Sequence, residues 1–364
     1  MPEEKNFGLI PIVRGLLAQP TGHPDLPWQP VILKQPGESK LPPLSLEIVD
    51  PNNIRQQWQK KIAEYESHHK TKPQAVTLPG IGVLYTQEYS VPSQPPQPFQ
   101  NKIAVVTGAA GAIGYGICKH LLEQGCYLAA TDLPGEKLDS FVQEFQKIGH
   151  QNIVGVPMDV TDLASVKQGF VKVIQTWGGV DLLVINAGIA LAKPLLDIDL
   201  ESLRRVERVN IDGTFLVLTE AGRYFKLQGT GGDVVLISTK NVYSPGAGFG
   251  AYSATKAAAH QLCRIASLEF APLDVRVNMV APDAVFSGGT HKSGLWAEVG
   301  PDRMKARGLD EKGLEEYYQS RNLLKVKVTA DHVAKAVLFF ASRQTPTTGA
   351  CLPVDGGLPD AVPR

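Results

Sequence analysis

Residues 103–122 read IAVVTGAAGAIGYGICKHLL: a short apolar run, a glycine-rich turn, then a stretch of helix formers running through Leu121 and Leu122. A near-continuous apolar run suits a parallel strand buried on both faces. In Thr107-Gly108-Ala109-Ala110-Gly111-Ala112-Ile113-Gly114 the glycines permit a tight turn and close approach of backbone to a pyrophosphate. Its charge would then sit at the N–H groups and positive dipole end of the following helix. Taken alone, such a turn is equally a simple strand-to-helix connection, so its meaning depends on what surrounds it.

Downstream, apolar runs recur at 127–132 (YLAATD), 152–158 (NIVGVPM), 181–188 (DLLVINAG), 233–239 (DVVLIST), 275–282 (VRVNMVAP) and 350–354 (ACLPV), with helix-length spacers between them. This alternation predicts an α/β fold, a Rossmann-type doubly wound parallel sheet of about seven strands. Asp132 falls 24 residues after Gly108, at the end of the second run. A carboxylate there can accept hydrogen bonds from adenosine ribose hydroxyls and would repel a 2′-phosphate. No Arg or Lys lies in the glycine turn, and the first after Asp132 is Lys137, so NAD(H) is expected in preference to NADP(H). A turn-forming aspartate before Leu-Pro-Gly is the plainer alternative for Asp132.

Tyr252 and Lys256 lie four residues apart in AYSATKAAAHQL, so both emerge from one face of a predicted helix. A tyrosine with an ordinary pKa of about 10 needs a shift of ~3 units, ~4 kcal/mol, to act as an acid–base near neutrality. A cation held close in a partly desolvated site can supply much of it. In isolation the pair would also fit a packing tyrosine beside a solvated lysine.

Taken together, these pieces make the chain from Asn101 to about Gly357, about 70% of its length, resemble a short-chain dehydrogenase/reductase. The resemblance rests on the glycine turn at 107–114, Asp132, Met158-Asp159-Val160, Gly178-Gly179-Val180-Asp181 leading into Asn186-Ala187-Gly188, Asn210 with Gly213, Tyr252 with Lys256, and Val354-Asp355-Gly356-Gly357. It implies that Tyr252 is the general acid–base. Lys256 lowers its pKa and binds the nicotinamide ribose, and Asn210 holds a water relaying protons from Lys256. It also implies cofactor contacts at Gly108, Ala110, Gly111, Ile113 and Gly114. Asp159 and Val160 would lie beside the adenine, Asn186, Ala187 and Gly188 beside the adenosine ribose and sheet centre, and Pro282 near the nicotinamide. A homodimer or homotetramer, through helices around 200–225 and 252–270, is implied in the same way.

Three positions depart from the family pattern. Ala112 replaces the middle glycine of the turn; Thr239, thirteen residues before Tyr252, replaces the usual serine; and Asp283 follows Pro282 where glycine is usual. Thr239 keeps a donor and two acceptor sites on a stiffer side chain, and strand alternation turns neighbouring Ser238 to the other face, so Thr239 is expected to orient the substrate carbonyl. Asp283 is placed near the cofactor–substrate junction, and Lys240 and Asn241 beside Thr239 are further candidates for substrate contact.

The long insert between Val285 and Val328 is expected to close over the crevice at the carboxyl ends of the strands. It carries His291, Lys292, Arg303, Lys305, Arg307, Arg321 and Lys325, polar groups suited to polyhydroxylated or anionic substrates. Solvated helix faces or subunit contacts account for such charges equally well. The segments STKNVYSPGAGFGAYSATK, PDAVF, WAEVGPDRMKARG and LEEYYQSRNLLKVKVTADHVA look most like the dehydrogenase half of bifunctional sugar aldolase/dehydrogenases, which implies a sugar-derived substrate.

Sixteen of the 27 prolines fall in residues 1–100, so the chain divides into an accessory region (1–100) and a dehydrogenase domain (101–364). VPSQPPQPF (91–99) reads as a polyproline-like linker. A helix is expected from an Asp50 cap with Pro51 first, through His69, its apolar side made by Ile54, Trp58, Ile62 and Tyr65. AVTLPGIGVLY (75–85) reads as two strands around a Pro-Gly turn, in a region with too few apolar positions for a core of its own.

Equal counts of basic and acidic residues, 36 each in 364, leave no net field to gather nucleic acid. Cys118, Cys126, Cys263 and Cys351 show no metal-ligand spacing, adjacent His68 and His69 face apart, and no metal site is expected. Without a membrane-length apolar run or a signal-like opening, the chain reads as cytoplasmic with no membrane partner. An inactive dinucleotide-binding scaffold remains the alternative to a working enzyme on a small-molecule substrate.

Overall fold

The computed structural model describes residues 7–87 and 97–359. Seven parallel strands form the central sheet: β1 (Ile103–Thr107), β2 (Tyr127–Asp132), β3 (Ile153–Pro157), β4 (Leu182–Ile185), β5 (Gly232–Ile237), β6 (Val275–Pro282) and β7 (Cys351–Val354). Their order is β3-β2-β1-β4-β5-β6-β7, so the chain reverses direction across the sheet between β1 and β4. Each of the seven apolar runs is a strand, and the doubly wound α/β class is as the sequence predicts.

Side chains alternate along each strand and feed two cores. Val105 faces one core, against helices α3 (Leu163–Trp177), α4 (Gly213–Gln228) and α5 (Gly250–Glu269). Ala104 and Val106 face the other, against α1 (Ala112–Glu123), α2 (Glu136–Lys147) and α6 (Ala330–Ala341).

Residues 7–87 belong to the first of these cores. Leu9, Ile10, Val13 and Leu17 from the helix Leu9–Leu17, Trp58 and Ile62 from the helix Ile54–His69, and Val76, Leu78 and Leu84 are buried in continuity with α3 and α4. This meets the shortage of apolar positions in this part of the chain: it shares the core packed around α3 and α4. The 75–85 hairpin forms as Ala75–Leu78 paired antiparallel with Gly82–Thr86, within a four-stranded sheet. The expected helix start is corrected, since Asp50 and Pro51 lie in a turn and the helix begins at Ile54. There Asp50 Oδ1 accepts from Asn52 N–H at 2.9 Å, the local turn that aspartate favours over a cap. Most of the proline-rich tract 91–99 lies outside the described residues.

Arg14 of the first helix is 1% exposed and makes a bidentate pair with Asp181 at the foot of β4, at 2.9 and 2.7 Å. Asp181 also accepts from Ile103 N–H at 2.8 Å and Gln228 Nε2 at 3.0 Å. Burial by itself would raise the Asp181 pKa, yet the Arg14 guanidinium holds it below the usual carboxylate value.

Candidate active site

At the carboxyl ends of the strands a cavity of about 820 Å³ runs from the glycine turn to the insert after β6. Gly108 turns the chain with φ +61°, and a Cβ there would lie 2.9 Å from Ala187 Cα, so no side chain fits at this position. The loop after β4 is stapled to β1: Asn186 Nδ2 donates to Thr107 O and Gly108 O at 3.0 and 2.8 Å, and Ala187 N–H to Thr107 Oγ1 at 3.1 Å.

Gly108, Gly111, Ile113, Asp132, Asp159, Val160, Asn186, Ala187, Gly188 and Pro282 all line this cavity. Ala110 and Gly114 do not. Ala110 is 1% exposed and its N–H donates to Asp132 Oδ2 at 3.0 Å, while the missing Gly114 side chain lets α1 pack on the Gly108 and Ala109 carbonyls. Both support the turn from behind. Ala112, the extra methyl in the turn, is accommodated in a buried position at the start of α1. A glycine turn ending in a helix N-terminus, with no room for a Cβ at Gly108, and an acid at the tip of β2 fit a nicotinamide dinucleotide.

Tyr252 and Lys256 stand on the first two turns of α5, buried to 8% and 5% exposure. Burial pushes the Tyr252 hydroxyl up to about 12, and a hydrogen bond from Thr239 draws it back. Ser238 turns away, its Oγ 3.1 Å from His260 Nδ1, while His260 Nε2 meets the Tyr243 hydroxyl at 3.1 Å. The preference for Thr239 over Ser238 follows from this alternation.

Lys256 is pushed down to about 8 by burial, and its Nζ donates to Ile237 O at 2.9 Å. Desolvation thus acts on both groups, and the Lys256 ammonium faces a strand carbonyl. The unfolded chain holds the lysine proton up to about 10.5, so it binds more protons than the folded one between about 8 and 10.5. Stability that the buried charge costs below this window returns as pH rises through it. Lys256→Met is expected to gain up to about 3 kcal/mol at pH 7, and to lose that advantage by about pH 10.5. Denaturant unfolding at both pH values checks this, and an equal gain at both would assign it to packing instead.

Asn210 sits in a single π-helical turn, Arg208–Asp212, a local widening that recurs at functional positions. Its Nδ2 donates to Ile189 O at 2.9 Å and Thr255 Oγ1 at 3.0 Å, and its Oδ1 accepts from Ile189 N–H at 3.0 Å. A Cβ on Gly188 would lie 3.2 Å from both Asn210 Oδ1 and Lys256 Nζ, so this glycine lets the two groups share one wall.

The helices Gly294–Arg307 and Glu311–Ser320 of the long insert close the far end. Lys240, Asn241, Asp283, Arg303, Arg307 and Arg321 reach the cavity. His291 instead stacks on Tyr115 at 4.7 Å and bonds Glu144 at 3.0 Å, and Lys292 pairs with Glu311 at 3.1 Å. Lys305 and Lys325 also lie off the cavity wall. Asp283 is bound by Arg321. The aromatic lining, Phe249, Trp296, Tyr317 and Tyr318, was not read from sequence; for the last three the signal was aromatic residues interleaved with the insert's arginines. Among the described residues no cluster of three His, Cys, Asp or Glu side chains could hold a metal, and no helix is long and apolar enough to cross a membrane.

This geometry accompanies a match to the short chain dehydrogenase family over residues 102–297, and the chain belongs to that family of oxidoreductases. It is 34% identical over 261 residues to an L-2,3-butanediol dehydrogenase of Corynebacterium glutamicum, covering 71% of this chain and 98% of that one. It is also 34% identical over 279 residues to the uncharacterized oxidoreductase YuxG of Bacillus subtilis, covering 76% of this chain but only 40% of the length of that relative. The crystal structure of gox2181 superposes with a TM-score of 0.63 at 27% identity, over 72% of this chain and 98% of that one.

Proposed function

We propose that this chain is an NAD(H)-dependent oxidoreductase that moves a hydride between nicotinamide and a secondary alcohol or carbonyl of a polar, sugar-derived or polyol substrate. The observation that carries this reading is the placing of Thr239, Tyr252 and Lys256 on the wall of one cavity whose other end is the glycine turn and Asp132. The relatives include a dehydrogenase of a small diol, which supports an alcohol substrate. Likeness to the dehydrogenase half of bifunctional sugar aldolase/dehydrogenases is supported by the insert's sequence and by the 40% share of YuxG that the chain spans.

A bound nicotinamide supplies the acceptor or donor of hydride. In oxidation, Tyr252 acts as the phenolate, its Oη taking the hydroxyl proton while Thr239 Oγ1 steadies the substrate oxygen by hydrogen bonding. Lys256, turning from Ile237 O, holds the ribose and favours the phenolate by its charge. Asn210 Oδ1 keeps one lone pair for a water that passes the proton on from Lys256.

Purified protein with NAD and a panel of alcohols is expected to give substrate-dependent NADH absorbance. Bound NADH with no turnover of any alcohol would favour the scaffold reading. Asp132→Ser is expected to shift the ratio of kcat/KM values toward NADP by on the order of a hundredfold, about 3 kcal/mol, by removing charge repulsion at the 2′-phosphate. An unchanged ratio would return Asp132 to a turn-forming role.

A further inference from the structure

We propose that the substrate is an anion, a polyhydroxylated compound whose phosphate or carboxylate group is held by Arg303, Arg321 and Lys240. The inference rests on the dehydrogenase reading only for calling the bound molecule a substrate.

Three basic residues on the outer side of the insert are paired with carboxylates. Lys292 pairs with Glu311, Lys327 with Glu315, and Lys312 with Glu316. The cavity wall differs. Its two carboxylates at this end are already taken, Asp283 by Arg321 and Glu298 by Arg205. Among the described residues no carboxylate lies within 4.0 Å of the cationic nitrogens of Lys240, Arg303 or Arg307. Uncompensated, partly desolvated cations are costly, and a bound anion removes that cost.

The unsatisfied hydrogen-bonding atoms are placed to match. Four buried side-chain polar atoms lack a partner within the protein, and three of them, Arg303 Nε, Arg321 Nε and Asn241 Oδ1, belong to residues lining this cavity. Buried groups of this kind are nearly always paired, so their clustering marks a place for a ligand. The two Nε atoms ask for acceptor oxygens, and Asn241 Oδ1 asks for a hydroxyl donor.

The guanidinium groups are also held in position. Arg303 lies over the Phe249 ring at 4.6 Å and Arg321 over Tyr318 at 4.2 Å. Phe249 in turn packs on Tyr252, with ring centroids 6.1 Å apart, so the cationic end adjoins the proposed acid–base. Lys240 is lowered by burial and then by the charge of Arg321, with Asp283 opposing and Arg303 adding to the lowering, so the three cations and this carboxylate share one field.

The test is a calorimetric titration of the full chain, loaded with NADH to occupy the glycine-turn end, with inorganic phosphate, sorbitol phosphate, gluconate and neutral sorbitol. The charged polyols are expected to bind at least tenfold more tightly than sorbitol, and Arg303→Gln to reduce that affinity at least tenfold. Lys240→Gln serves as a second variant, because Arg303 also packs on Phe249. Tighter binding of sorbitol phosphate than gluconate would assign the group as phosphate, and the reverse order as carboxylate. Equal affinity for charged and neutral polyols, or anion binding untouched by both substitutions, would overturn the inference. Turnover of neutral alcohols without charge preference would sink the anion reading and leave the dehydrogenase standing; anion binding without any turnover would do the opposite.

Discussion

Tyr252→Phe is expected to lower kcat/KM for alcohol oxidation by roughly 10²- to 10⁴-fold, the usual contribution of a positioned acid–base, while NADH binding is retained. The substitution removes one oxygen from a side chain that is 8% exposed and leaves its ring against Phe249. Thr239 loses a partner in Tyr252 but keeps its bond from Asn241 N–H at 3.3 Å, so little of the surrounding structure depends on the phenol. The loss should therefore appear in catalysis and not in unfolding. Steady-state rates, NADH fluorescence titration and a thermal scan of the same preparation separate the two. Near-normal turnover would remove Tyr252 from the mechanism.

A second large effect is expected far from the chemistry. Arg14→Ala should destabilise the protein by about 3–5 kcal/mol, since it leaves the buried Asp181 carboxylate without its counter-charge. Ile103 N–H and Gln228 Nε2 would remain as its partners, two neutral donors in place of a bidentate guanidinium. Folded Asp181 is held below its unfolded value of 3.8. Its contribution is thus present above that pH and lost as pH falls through the folded value, so the difference between wild type and variant should narrow in acid. Urea unfolding at pH 7 and below pH 4 measures both effects. A change under about 1 kcal/mol at pH 7 would mean that the accessory region is only loosely attached.

That result bears on the division of the chain. We propose a boundary near residue 100, with residues 7–87 acting as a stabilising cover over α3 and α4. The prolines suggest that boundary, but nothing in the local pattern of GLIPIVRGLL could show that Arg14 meets a residue 167 positions away. Long-range pairs leave no periodic trace in a sequence.

The strands were legible because burial on both faces demands unbroken apolar runs, and the glycine turn because backbone must approach backbone where no Cβ fits. Tyr252 and Lys256 were legible because helical geometry turns a spacing of four into a shared face. The choice of Thr239 over Ser238 followed from the two-residue period of a strand, and His260 takes the rejected hydroxyl.

What the sequence by itself determined was therefore whatever depends on local period and local sterics: the sheet, the glycine turn and the Tyr–Lys pair. The tertiary structure alone decided which of the insert's basic residues enter the cavity, and that Arg303 and Arg321 do so with unpaired nitrogens while His291 and Lys292 bond to carboxylates outside it. It also decided that burial, acting on Tyr252 and Lys256 together, sets their proton affinities in opposite directions. The reason is the same in each case: charge compensation and desolvation depend on neighbours brought together across the whole chain, and a linear sequence does not order residues by distance in space.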